Sequence, residues 1–224
     1  MNETELTEAL QSGRSLIRFG DGEINLLLGL RNHYQTFSPR LRDGMSAIVS
    51  GYQSGCPYIL SIPRFVTSTN DELHAMGKLQ VWLPLKVIFA LYFKRNLPYL
   101  DAHSFYYDGY FERVVGPIIA SKHVILITKK KTVERQCSNK NIPWSKCTYV
   151  TVPSEESLDS YEVIEAEIDS KLSKIDDTDP VLLFAMGPVG KLLALKYAKQ
   201  NVQSIDVGKV AEVMYTGESI AHII

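Results

Sequence analysis

Hydrophobic and polar residues follow two alternating patterns along the chain. Short apolar runs rich in β-branched and aromatic residues predict strands, and stretches with apolar residues three to four positions apart predict helices. The predicted strands are 16–19, 58–62, 104–107, 123–128, 147–152, 181–185 and 204–207. The predicted helices are 24–30, 71–95 with a break near Pro84, 110–121 and 189–200.

Strands that alternate with helices favour an α/β fold, in which a mainly parallel sheet is covered by helices on both faces. No internal repeat, low-complexity tract or long linker divides the 224 residues. The chain is therefore expected to form a single domain over residues 1–224.

Composition and charge narrow the functional classes. The chain has 24 Lys and Arg against 25 Asp and Glu, so no overall positive field favours nucleic acid, and phosphate must be recognised locally. The three cysteines, Cys56, Cys137 and Cys147, form no CxxC pair, which favours a reducing compartment. The N-terminus lacks the basic start and apolar run of a signal peptide. These features predict a cytoplasmic protein.

The most apolar stretch of the chain is 81–93. It has 13 residues and contains Pro84 and Lys86, whereas a transmembrane helix needs about 20 mostly apolar residues. A core helix is the favoured interpretation. The alternatives are a homodimer face, or a surface that meets a lipid-linked acceptor and attaches the protein peripherally to the inner membrane face.

Polar and charged residues follow five of the predicted strands. Ligands of open parallel sheets bind beyond the carboxyl ends of the strands, so these residues are expected to share one rim. Carboxylates, lysines and glycine turns together are typical of a site for a metal ion and a diphosphate. The segments are 20–23, 129–131, 153–157, 186–191 and 208–209.

Two carboxylates in the first segment are candidate metal ligands. Asp21 and Glu23 are separated by the flexible Gly22, and Mg²⁺ or Mn²⁺ is bound by one or two protein carboxylates together with substrate phosphates. On spacing alone a structural role is favoured, in which Asp21 caps the following helix and Glu23 interacts with its dipole.

The glycine-containing segment 186–191 follows a strand and opens a helix, where backbone N–H groups bind anions. A tight turn with Lys191 on the solvated face is an equally good interpretation. The segment lacks the spacing of a Walker A loop. The lysines at 129–131 are more typical of a solvated loop than of a phosphate site.

Three sequence blocks together resemble a known family. Residues 15–23, Ser-Leu-Ile-Arg-Phe-Gly-Asp-Gly-Glu, resemble the RFGDGE signature of the bacterial GT-D-fold glycosyltransferases, the DUF1792-type family. Residues 183–188 with 191–194 resemble its "GP…LA" block, and residues 204–208 resemble its "aiDiG" block. The order and separation of the blocks also fit, so the resemblance spans nearly the whole chain.

The resemblance implies a Rossmann-like α/β transferase of GT-D type that uses a UDP-sugar and a divalent metal, Mn²⁺ or Mg²⁺. It implies metal binding by Asp21 and Glu23, and a nucleotide-proximal turn at Gly187 and Pro188. It also implies a role in polysaccharide or surface-glycoprotein assembly, with a glycan, glycoprotein or lipid-linked saccharide as acceptor. The chain departs from the family at Lys209, where histidine is usual, and it lacks a Thr-Arg pair near 106–110.

The sequence thus predicts a metal site, a donor site and a proton acceptor. Asp108 is the predicted catalytic base, with Glu112, Glu155 and Glu156 as alternatives on the same rim. Two other functions stay open, a non-catalytic nucleotide- or phosphate-binding module and a metal-dependent phosphohydrolase. The predicted donor-binding residues are Arg18, Gly20, Gly22, Lys129, Ser154, Gly187, Pro188, Lys191, Asp206 and Lys209.

Overall fold

The computed structural model describes residues 1–139, 141–142, 144, 146–176 and 179–215. Its strands are β1 (Ser15–Arg18), β2 (Tyr58–Ile62), β3 (Leu100–Asp101), β4 (His123–Lys129), β5 (Lys146–Val152), β6 (Val181–Ala185) and β7 (Gln203–Asp206). They form one sheet in the order β3-β2-β1-β7-β6-β4-β5. Every pairing between neighbours is parallel.

Helices surround this sheet. They are α1 (Glu3–Gln11), α2 (Asp21–Leu27), α3 (Pro39–Gly51), α4 (Asn70–Ala75), α5 (Leu79–Tyr92), α6 (Ser104–Tyr107), α7 (Gly116–Ile119), α8 (Lys130–Cys137), α9 (Tyr161–Leu172) and α10 (Pro188–Lys199).

The core lies on both faces of the sheet because successive strand residues point to opposite sides. In β1, Leu16 packs with α1 and α7 on one face, and Ile17 packs with α2, α3 and α10 on the other. Both side chains are fully buried. The predicted α/β fold, with a parallel sheet covered on both faces, is confirmed.

The predicted strand 104–107 is wrong, because these residues form the short helix α6. The strand in this region is the preceding pair Leu100–Asp101, which extends the sheet beside β2. The Ser104 hydroxyl then donates to the Asp101 carbonyl at 2.8 Å and turns the chain. A run of four residues is too short for its periodicity to distinguish a strand from a helix.

The predicted break near Pro84 is also wrong. α5 continues through Pro84, while the break falls after α4 at Gly77, whose φ of +65° favours glycine. The Gly77 and Lys78 N–H groups donate to the His74 and Leu73 carbonyls, which is the Schellman arrangement that ends a helix.

The predicted helix 110–121 is divided. A wide turn of π type covers Phe111–Val115, and α7 follows it. Pro117 has no N–H to donate into the preceding turn, which accounts for the irregular spacing.

The strand order creates a switch point between β1 and β7. From β1 the chain adds β2 and β3 toward one edge, and β4 to β7 fill the other half of the sheet. In open α/β sheets ligands bind outside the carboxyl ends of the strands at such a point. Arg18 ends β1 and Asp206 ends β7, so these predicted site residues flank it.

Candidate functional site

One buried lysine joins the carboxyl ends of three strands. Lys191 lies on α10 with 5% of its surface exposed, and its Nζ is 3.2 Å from Glu23 Oε1 and 3.0 Å from Asp206 Oδ2. The same Nζ donates to the Gly187 carbonyl at 3.2 Å. Glu23 follows β1, Gly187 follows β6 and Asp206 ends β7, so one ammonium group holds these three segments together.

The charges of this group are almost completely removed from solvent, because Glu23 and Asp206 are buried as well. Burial acts to lower the pKa of the Lys191 ammonium, but the carboxylates of Asp206 and Glu23 outweigh it and raise the pKa above its ordinary value. Lys191 therefore stays charged at neutral pH. Its desolvation is offset only while its carboxylate partners stay in contact.

Glu23 also closes the first turn of α2. Its Oε2 accepts the Gly20 N–H at 2.7 Å, which is the interaction that a capping-box glutamate makes with the backbone of the N-cap residue. The acidic segment therefore has the structural role of closing the first turn of α2. The residue with this role is Glu23 and not Asp21. Each carboxylate oxygen of Glu23 already has a partner from the protein.

Asp21, in contrast, faces solvent. It is the first residue of α2 and is exposed, and its Oδ1 accepts the Gly22 N–H at 2.9 Å. Its other oxygen, Oδ2, accepts no hydrogen bond from the part of the chain that the structure describes. Asp21 therefore presents an open carboxylate oxygen at the carboxyl end of β1.

Arg18, predicted to bind the donor, is turned inward. Its Nη1 donates to the Val207 carbonyl at 2.9 Å, and its Nη2 donates to the Ala102 carbonyl at 2.6 Å. The guanidinium also lies over the Tyr106 ring, 4.8 Å from its centroid. Arg18 therefore connects β1 to the segments that follow β7 and β3.

The turn between β6 and α10 requires glycine. Gly187 has φ +69° and ψ −150°, a region that is essentially confined to glycine. Pro188 follows at the first position of α10, where its missing N–H costs nothing. A residue with a side chain at position 187 would therefore strain the backbone of this turn, which is predicted to lie near the nucleotide.

The predicted donor residues at the far strands lie apart from this cluster. β7 and β6 separate β4 from β1, so Lys129 lies about 14 Å from β1 at the usual strand spacing. Its Nζ is paired with Glu212 Oε1 at 2.6 Å. Ser154 is exposed after the edge strand β5 and is one strand further away. Lys209 is exposed just after β7, beside the switch point.

Asp108, the predicted base, lies at the opposite end of the rim and is paired with a cation. Arg64 Nη2 donates to Asp108 Oδ2 at 2.7 Å, and the same guanidinium binds Asp101. Both Arg64 and Asp108 are more than one third exposed. The ion pair engages Oδ2 of the carboxylate that is predicted to accept the proton.

A tether that the sequence did not reveal crosses the rim. Glu156 Oε1 accepts hydrogen bonds from the Thr36 N–H at 2.9 Å and from the Thr36 hydroxyl at 2.6 Å, and its Oε2 accepts one from Gln35 Nε2. It ties the loop between α2 and α3 to the turn after β5. Glu156, an alternative base in the sequence, has its carboxylate committed to this tether. No local pattern signals it, because the partners are 120 and 121 residues apart.

The open carboxylate of Asp21 fits the chemistry of a metal ion whose other ligands come from a bound diphosphate and water. In the described residues no group of three or more His, Cys, Asp and Glu side chains is arranged to hold a metal ion. The chain thus offers one open carboxylate, Asp21, at the start of α2, while Glu23 two residues further on is buried and paired. Mg²⁺ and Mn²⁺ accept such a set, because phosphate oxygens and water complete their coordination.

Comparison with known families assigns the chain. The model of the glycosyltransferase GT-D fold family matches residues 16–215. The chain therefore belongs to the GT-D-fold glycosyltransferases, and the resemblance carried by the three sequence blocks is confirmed. As a glycosyltransferase it takes a sugar donor and an acceptor.

Solved structures agree on the fold. A new glycosyltransferase (DUF1792) from Streptococcus sanguinis aligns with a TM-score of 0.78 and 19% identity over 98% of this chain and 85% of its own. The highly conserved domain of unknown function 1792, which has a distinct glycosyltransferase fold, aligns with a TM-score of 0.79 and 19% identity over 96% and 80%. These identities support the fold alone. Comparison with the curated proteins gives no match.

The central role of Lys191 is testable with Lys191→Met. Loss of the ammonium leaves Glu23 and Asp206 buried without a cation, which is expected to lower the free energy of unfolding by about 3–5 kcal/mol. The matched control is Lys196→Met on the same helix, whose pair with Glu165 is about one third exposed and contributes at most about 1 kcal/mol. Urea unfolding measures both, and a Lys191→Met variant as stable as the control would contradict the assignment.

Proposed function

We propose that this enzyme moves a sugar from a nucleotide-sugar donor, a UDP-sugar, to a hydroxyl of a glycan, glycoprotein or lipid-linked saccharide in a metal-dependent reaction. Its products enter surface polysaccharide or glycoprotein. One observation carries the proposal: Asp21 is the open carboxylate at the switch point, while Glu23, Asp206 and Lys191 are buried and paired with one another.

The proposed metal ion is Mn²⁺ or Mg²⁺, held by Asp21 through its open oxygen, with Glu23, two residues further along α2, as the second proposed ligand. A divalent cation stabilises negative charge on the diphosphate as the sugar departs. Glu23 can also coordinate the metal ion because a carboxylate has about four lone-pair sites, and Lys191 and the Gly20 N–H occupy two of them.

The solvent exposure of each remaining predicted donor-binding residue decides the role that we assign to it. Lys191 and Arg18 are positioning residues, since both are buried. They hold the acidic segment and the segments after β7 and β3 in position. The backbone at Gly187 and Pro188 borders the donor phosphates, and Lys209 supplies an exposed cation beside them. Lys129 and Ser154 lie further along the rim, where they would contact only the far end of a donor.

Proton removal from the acceptor hydroxyl needs a base if the reaction inverts configuration. Asp108 keeps this proposed role on the condition that Arg64 moves when the acceptor binds, because the ion pair otherwise holds its carboxylate. The Tyr107 ring beside Arg64 is 58% exposed and offers a face for sugar C–H groups.

Asp21→Asn tests the metal site with the least disturbance of the fold. The variant keeps the shape and the Gly22 contact but lowers the charge at the open oxygen, so metal-dependent release of UDP from the correct UDP-sugar is expected to fall by about a hundredfold or more. Asp43→Asn, at an exposed position on α3, is the matched control. Glu23→Gln is less clean, because it also weakens the partner set of Lys191.

A screen of nucleotide sugars with Mn²⁺ measures this release in both variants and in the wild type. Near-normal UDP release by a folded Asp21→Asn variant would overturn the proposal. Release of inorganic phosphate in place of UDP would instead identify a phosphohydrolase.

Ligand-dependent thermal stability gives a second test. A ligand that binds only the folded state stabilises it by about 2.7 kcal/mol at 100 times its Kd. UDP is therefore expected to raise the Tm when Mn²⁺ or Mg²⁺ is present and to leave it nearly unchanged when the metal is chelated. Equal shifts with and without metal, measured by differential scanning fluorimetry, would show that no cation bridges the diphosphate to the protein.

A further inference from the structure

Helix α5 is apolar on its exposed side as well as on its buried side. Trp82, Leu85 and Phe89 face the core. A helix that is hydrophobic all round is normally enclosed by protein or by lipid, yet half of this one faces outward. The exposed side includes Val81 at 59%, Val87 at 55% and Leu91 at 73% exposure, together with Leu83, Pro84, Ala90 and Tyr92.

The charges from residue 73 to residue 100 are of one sign, and the nearest carboxylates in sequence are Asp71 and Glu72 on α4 and Asp101 after the segment. Residues 73–100 contain Lys78, Lys86, Lys94 and Arg95 and neither Asp nor Glu, although the whole chain has a formal net charge of −1. No carboxylate within this segment neutralises its cations. The segment therefore combines an exposed apolar face with a local excess of positive charge.

The cations keep their charge available at the surface. Lys78 directly precedes α5 and Arg95 follows its end, both are exposed, and their side chains make no ion pair within the described residues. Lys94 Nζ donates to the Ser50 and Tyr52 carbonyls, which are neutral and do not cancel its charge. Positive charge thus lies at both ends of the apolar face.

We propose that α5 docks the protein on an anionic lipid surface. The exposed apolar side chains would enter the boundary between headgroups and acyl chains, while Lys78 and Arg95 contact lipid phosphates, as in interfacial helices. The 14 residues of α5 extend about 21 Å. Across the described residues no helix has the length and apolar character of a bilayer span, so attachment through α5 lies in the plane of the surface.

A second copy of the chain fits this face less well than lipid does. A twofold contact between two α5 faces would place the Lys78 and Arg95 groups of both copies in or beside one interface. The nearest carboxylates in sequence, Asp71 and Glu72, lie on α4 rather than on α5, so the like charges at the two ends of the apolar face would oppose association. An anionic lipid surface provides the missing negative charge.

The docking helix also lies beside the rim that carries the site. Trp82 contacts Phe65 and His103, with ring centroids 4.9 and 6.2 Å apart, and these residues follow β2 and β3. α5 also packs against α2, which begins at Asp21. If the proposed function is correct, this placement brings the site close to a lipid-linked acceptor; the docking itself does not depend on that function.

Sedimentation of the full-length protein with vesicles tests the proposal. Binding is expected to vesicles that contain phosphatidylglycerol, with little binding to phosphatidylcholine alone and a loss of binding at high salt. The double variant Val87→Glu with Leu91→Glu is expected to bind at least about tenfold more weakly. Lys78→Glu with Arg95→Glu is expected to weaken binding by about the same factor. Val163→Glu, at a 71% exposed position on α9, is the matched control.

Three results would overturn the docking proposal: no binding to the anionic vesicles at low salt, equal binding by the double variant and the control, or a dimer that the double variant dissociates without any vesicle binding. Circular dichroism confirms that each variant is folded. UDP release measured without vesicles is expected to be unchanged in the α5 variants. Failure of docking and failure of the proposed glycosyl transfer are therefore distinguishable.

Discussion

The geometry of the site depends on the ammonium group of Lys191. It is buried between the carboxylates of Glu23 and Asp206 and also binds the Gly187 carbonyl, so it connects the segments that follow β1, β6 and β7. In a region with little water such a contact is strong, and removing one partner leaves an uncompensated charge. The acidic segment and the glycine turn are therefore held in a fixed relation before any ligand binds.

This arrangement separates residues that hold the site from those that meet the substrate. Arg18, Lys191 and Asp206 all have partners inside the protein, while Asp21 is exposed at the end of β1. Preorganised charge is effective in catalysis because no reorganisation is needed at the moment of reaction. The buried cluster supplies that preorganisation, and the exposed carboxylate is the group to which we assign the proposed metal ion.

Local patterns were sufficient for six of the seven strands of the sheet but not for the side-chain contacts that connect its strand ends. The strands 123–128 and 181–185 are apolar runs bounded by polar residues, and both are present, whereas the four residues 104–107 were too few to separate two periodicities. The blocks around Asp21 and Gly187 lie at the carboxyl ends of β1 and β6. The inward direction of Lys191 could not be predicted, since it depends on partners from distant parts of the chain.

The exposed face of α5 could not be predicted for another reason: the sequence of a helix that is apolar all round does not reveal which side is buried.

We propose above all that Asp21 binds the metal ion that contacts the donor diphosphate. Anomalous diffraction from crystals soaked with Mn²⁺ and UDP tests it most directly. One manganese peak is expected within coordination distance of the Asp21 carboxylate, beyond the carboxyl end of β1, with UDP phosphate oxygens as further ligands. A manganese ion bound elsewhere, or UDP bound at the switch point without manganese, would contradict it.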